Sequence, residues 1–198
     1  MMNSRLLVIF LLFLPVALFS QNLDIRILRS LNSAQTLPSD SFFQFASNSD
    51  FYVVLGVPAG MAAAGLIKHD NNLTGNACVA LAATAIGAGV TTAMKYSFNR
   101  DRPFITYSDI AKKSDAGSPS FPSGHTSIAF STATSLSLAY PKWYIIVPTY
   151  TWAGAVGYSR IHLGVHYPSD VLVGALVGAG SAWLTHAVNK KLMVKAKK

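Results

Sequence analysis

Five apolar stretches set the rhythm of the chain, at about residues 51–67, 74–97, 123–140, 143–158 and 169–188, and each keeps its charged residues to its ends. Several approach the roughly 20 residues that span hydrocarbon. None shows the period-two alternation of a half-buried strand. The pattern predicts an all-α helical bundle of about five transmembrane helices, six if the N-terminal segment is retained. Ala, Gly, Ser and Thr outnumber Leu in these stretches, as expected where helix backbones approach closely. Gly164 and Pro168 punctuate the link between the last two helices.

Ahead of the bundle, residues 22–48 are amphipathic. Leu23, Ile25, Ile27, Leu28 and Leu31 fall broadly on one side, with Arg26 and Arg29 on the other, which predicts a helix lying at a membrane interface. Ser39 or Asp40 is a natural N-cap for another short helix. The first 20 residues have a short basic start, an apolar run from Leu6 to Phe19 and then Ser20, the layout of a signal peptide or a first membrane helix. Four parts follow: this leader over 1–20, amphipathic helices over 21–49, the bundle over 50–190 and a basic tail over 191–198.

Composition sharpens the membrane reading. Only 12% of residues are charged, against roughly 25% in soluble domains. The formal charge of +8 would suit a nucleic-acid binder, yet Lys190, Lys191, Lys195, Lys197 and Lys198 crowd the very end. No basic stripe interleaved with aromatics remains, so nucleic acid is excluded as a partner. Cys78 is the single cysteine, which excludes an internal disulfide and a cysteine-based zinc site. The lysine-rich tail belongs in the cytoplasm by the positive-inside rule. Counting back through five spans leaves residues 99–122 and 159–168 outside, on the periplasmic or exterior face of a bacterial-type inner membrane.

Three polar islands interrupt the apolar pattern. In "KYSFNRDRP", Lys95 and Arg102 lie nearly two helical turns apart, and Pro103 ends the helix about there. In "SPSFPSGHTS", Ser123 and Gly124 open a helix whose free N–H groups favour an anion, and His125 sits in its first turn. In "SRIHLGVHYPSD", Arg160 supplies a guanidinium fork, while the His166–Asp170 spacing lets the carboxylate hold one ring nitrogen and leave the other free. Such a histidine is a nucleophile or a base. His162 lacks a comparable carboxylate on the same link and reads as packing or a secondary polar contact. Polar clusters at one end of an apolar bundle are costly unless functional. Two histidines, one carboxylate and three cations define a phosphate pocket without the carboxylates that a magnesium or zinc site needs.

These islands resemble the motifs of the type 2 phosphatidic acid phosphatase (PAP2) family, whose superfamily includes vanadium haloperoxidases and class A acid phosphatases. The motifs K-x6-RP, PSGH and SR-x5-H-x3-D match at Lys95, Arg102 and Pro103, at residues 122–125, and at Ser159, Arg160, His166 and Asp170. The resemblance covers about residues 50–190. It implies a PAP2-like bundle that hydrolyses a lipid phosphate or diphosphate of the phosphatidate, phosphatidylglycerophosphate, undecaprenyl diphosphate or lipid A type, with neither cofactor nor metal. It further implies that His166 attacks phosphorus, that Asp170 orients it and that His125 acts as acid and then base. Lys95, Arg102, Ser123, Gly124 and Arg160 would hold the phosphate oxygens. The competing readings are a soluble periplasmic acid phosphatase, a vanadate-dependent haloperoxidase and a non-catalytic lipid-phosphate binder or transporter.

Overall fold

A computed structural model describes residues 23–196; the leader and the last two lysines lie outside the described residues. Residues 23–31 are helical and form α1. The remaining helices are α2 (Ser39–Lys68), α3 (Asn71–Phe98), the one-turn α4 (Pro103–Thr106), α5 (Gly124–Ala139), α6 (Trp143–His162) and α7 (Pro168–Ala196). No strand occurs among the described residues.

Local chemistry sets the helix ends. Asp70 caps α3 by accepting the backbone N–H groups of Asn72 and Leu73. At its far end Asn99 turns left-handed, at φ 44°, and donates its N–H to the Lys95 carbonyl. Pro103 then opens α4, so Arg102 is extended between two helices. Gly164 has φ +72°, and a Cβ there would lie 2.3 Å from the Ala111 carbonyl oxygen. Only glycine fits this turn.

At the centre lies α5, packed chiefly against α7 and then α6 and α3. Its buried face is polar but small: Thr126, Ser127, Ser131, Thr132, Thr134 and Ser135. Hydroxyl contacts such as Thr91 Oγ1 to Ser127 Oγ, at 2.9 Å, join it to α3. Ser39–Lys68, Asn71–Thr106 and Pro168–Met193 are long and apolar enough to cross a membrane. At 16 residues, α5 is shorter than a span and is walled in by its neighbours. With 20 residues, α6 is about 30 Å long, the thickness of the hydrocarbon layer. On the outer surface Leu172, Leu176 and Trp183 share one face of α7 and are each more than 60% exposed, as suits lipid rather than water.

Two expectations change. The stretch from Ser39 does not break near residue 50 but runs as one helix to Lys68. Its polar Ser47 and Asp50 are buried, so the segment read as interfacial up to residue 49 turns a polar side inward. The apolar stripe of α1 packs on protein rather than lipid: Ile25 and Leu28 are buried against Ile110, Ile161 and Tyr167. Periodicity marks an apolar face without saying what covers it.

Candidate active site

All three islands meet at one end of the bundle. Lys95, Arg102, Gly124, His125, Arg160 and His166 line one cavity of about 440 Å³, beside Asp50 of α2 and residues 115–118 of the long loop. Ser123 is fully buried behind it as the residue preceding α5. Its hydroxyl accepts from Thr126 Oγ1 at 2.9 Å and does not cap the helix. The first backbone N–H groups of α5 therefore stay uncapped by a side chain. Asp170 sits outside the lining, behind His166.

Asp170 is the hub of a buried network. Its Oδ2 lies 3.4 Å from His166 Nδ1, and it accepts from Ser120 Oγ at 2.5 Å and from the Tyr167 N–H at 3.0 Å. Its Oδ1 accepts from Arg100 Nη1 at 2.6 Å. On the far side of the imidazole, Arg102 Nη1 is 3.3 Å from His166 Nε2. A guanidinium only donates and an ionised carboxylate only accepts. The two contacts together assign the proton to Nδ1 and a lone pair to Nε2, on the cavity side. Burial pushes the His166 ring down to about 4 despite the opposing pull of Asp170, so the ring is neutral at ordinary pH.

The cations are held by backbone and hydroxyl groups, leaving their charge for a guest. Lys95 Nζ donates to the Pro119 carbonyl at 2.6 Å. Arg102 donates to the Ser118 and Val165 carbonyls, both at 2.8 Å. Arg160 bonds the hydroxyls of Ser47 and Ser114, and its buried Nε has no partner among the described residues. Among the described residues none of the three makes an ion pair within 4 Å, so a phosphate would find positive charge still available.

Sequence reasoning missed four residues here. Arg100, inside the first island, grips Asp170 and Ser169, stacks on Tyr167 with its guanidinium carbon 3.8 Å from the ring centre, and pairs with Asp24 of α1 at 3.1 Å. Asp24 also accepts the Ser169 N–H at 2.9 Å, which ties α1 to the start of α7. His162 makes the packing and secondary polar contact expected of it: it lies against Phe43, and its Nε2 is 2.7 Å from Asp40 Oδ1, which also pairs with Lys113 at 2.8 Å. Its carboxylate partner comes from 122 residues away, beyond the reach of local spacing. Asp50 faces His125 across 3.7 Å. Scarcity was the available signal. The chain has only eight acidic residues, and Asp24, Asp40, Asp50 and Asp170 are buried.

The model of the PAP2 superfamily matches residues 76–193, and the chain belongs to that superfamily. It is a multi-pass membrane protein. Over 97 residues it is 30% identical to the lipid A 4'-phosphatase of Bacteroides thetaiotaomicron, a match covering 49% of this chain and 43% of the relative. The chain thus spans less than half the length of that curated relative. Among solved structures, Aquifex aeolicus LpxE superposes with a TM-score of 0.71 at 29% identity, over 83% of this chain and 95% of that one. A transmembrane PAP2 type phosphatidylglycerolphosphate phosphatase from Bacillus subtilis superposes at 0.75 with 23% identity, over 96% and 98% of the two chains. The latter likeness is one of fold.

Proposed function

We propose that the protein hydrolyses a lipid phosphate or diphosphate through a phosphohistidine on His166. The observation that carries this is the convergence, on one cavity at the end of an apolar bundle, of a histidine backed by Asp170, a second histidine and three cations that make no ion pair among the described residues. In the first step the Nε2 lone pair, released as Arg102 Nη1 turns to the phosphate, forms a bond to phosphorus as the bond to the leaving oxygen breaks, and His125 gives that oxygen its proton. Asp170 keeps the Nδ1 proton and offsets the positive charge that the ring gains. Lys95, Arg102, Arg160 and the Ser123–Gly124 backbone face the equatorial oxygens, where the charge of phosphoryl transfer is spread. A water then bonds to phosphorus, His125 takes its proton, and the electron pair of the P–N bond returns to Nε2.

An apolar tail lying along the bundle and an anionic head in the cavity describe the substrate class. The relatives' names span a glycolipid phosphate and a glycerophospholipid phosphate. Phosphate release from purified protein given phosphatidate, phosphatidylglycerophosphate, undecaprenyl diphosphate or lipid A identifies the substrate. Because protein cations supply the charge, release is expected to survive EDTA. Vanadate is expected to inhibit it by filling the same cavity as a five-coordinate adduct. Loss of activity in EDTA with recovery in magnesium would overturn the metal-free mechanism.

The cavity is expected to open to the periplasm or cell exterior, since the lysine-rich tail favours the cytoplasm. Cysteines replacing exposed Lys112 and Lys191, in a Cys78→Ala background, test this with an impermeant thiol reagent. Position 112 should label in intact spheroplasts and position 191 only after lysis. The opposite pattern reverses the orientation.

A further inference from the structure

Asp50 is an odd wall for a cavity that receives an anion. Its carboxylate is buried, with a side chain 7% exposed, yet it lines the cavity and repels any phosphate that enters. It comes from α2, ahead of the 76–193 stretch matched by the superfamily. One oxygen, Oδ1, accepts the N–H of Phe51 at 2.6 Å. The other, Oδ2, lies 3.7 Å from His125 Nε2, and that side chain is 40% exposed to the cavity. A buried carboxylate with only part of its hydrogen-bonding capacity used costs stability, so its presence needs a reason.

His125 supplies one. Under the proposed function it must begin the first step protonated, although Lys95, Arg102 and Arg160 share its cavity and all three disfavour an added positive charge. His166 has Asp170 to offset its charge. For His125, Asp50 stands at ion-pair distance but too far for a hydrogen bond. The separation lets the carboxylate stabilise the imidazolium without occupying the Nε2 proton, which stays free for the leaving oxygen.

We propose that Asp50 is the positioning residue of His125, giving the site two His–Asp pairs, one for the nucleophile and one for the acid. Asp50 does not itself lose or gain a proton. As the P–O bond breaks, the proton passes from His125 to the leaving oxygen, and the water of the second step returns one to His125. This inference rests on the proposed hydrolysis.

The test compares purified Asp50→Asn with wild type on phosphatidate, whose leaving alkoxide needs a proton, and on an aryl phosphate, whose leaving group needs it less. Acid catalysis is worth about 10²–10⁴-fold. The variant's loss in kcat on phosphatidate should therefore exceed its loss on the aryl ester by on the order of 10²-fold. KM should stay level or fall, because a charge that repels phosphate is gone. In a His125→Ala background Asp50→Asn should add nothing, and Asp50→Glu should recover most of the lost rate. Equal losses on both esters, or a full further loss without His125, would mean that Asp50 only supports the fold and would overturn the proposal. Phosphate release by wild type separates the two levels. An inactive wild type sinks the proposed function together with this inference, whereas an active wild type with a uniform Asp50→Asn loss sinks this inference alone.

Discussion

Turnover of His166→Ala is expected to fall on the order of 10⁴-fold or more, with no covalent intermediate, because no other ring nitrogen replaces the one that attacks. His125→Ala should lose about 10²–10⁴-fold on a lipid phosphate, yet recover much of that loss on an aryl phosphate. The His166 variant should gain nothing from the better leaving group, since bond formation is what it lacks. Rapid quenching of wild type with labelled substrate should trap an acid-labile phosphoenzyme that is absent from His166→Ala. The pH profile carries a further mark. Burial holds the His166 ring at about 4, so the neutral nucleophile persists well into acid. Nucleophile loss should appear only as pH falls through that value, not near the ordinary histidine range of about 6.5. Equal rescue of both variants by the aryl ester, or a phosphoenzyme surviving without His166, would show the roles to be misassigned.

What the sequence made legible was whatever lies close along the chain. His166 and Asp170 are four residues apart across a helix start, and Lys95 and Arg102 flank a helix end, so spacing alone brought their chemistry together. The proline and glycine punctuation also marked the right links. Partners brought by the fold were not legible. Asp24 reaches Arg100 from 76 residues away, and Asp40 reaches His162 from 122. Asp50 stands just ahead of the apolar run at about 51–67, and nothing nearby in the sequence indicates that one helix runs through it or that it meets His125. The polarity of α5 had a similar effect. Its serines and threonines are buried against other helices, so a hydropathy count describes its neighbours' packing needs rather than its own contact with lipid.

The seam between α5 and α7 gives the second large effect, because the site straddles it. His125 stands in the first turn of α5, while His166 and Asp170 flank the start of α7. The Ser123 N–H donates to the Asp170 carbonyl at 2.9 Å. What lets the two backbones meet is a pair of glycines one turn apart. A Cβ at Gly174 would lie 2.6 Å from the Ser123 carbonyl oxygen, and one at Gly178 would lie 2.0 Å from that of Ser127. Both obstacles are backbone and cannot swing aside. Gly178→Leu must therefore push α7 away from α5, at a cost of about 3 kcal/mol, the upper end of the usual overpacking range. Because the displaced seam carries the two histidines on opposite sides, activity should fall with stability, even in whatever fraction remains folded. Gly180 supplies the control on the same helix: it is exposed, and among the described residues nothing stands within 4 Å of a Cβ there. Thermal unfolding in detergent and phosphate release should both be nearly unchanged in Gly180→Leu and both markedly reduced in Gly178→Leu. Gly178→Ala should already show part of the loss, since a single methyl meets the Ser127 carbonyl. If the two leucine variants melt and turn over alike, close backbone approach is not what holds the two halves of the site in register.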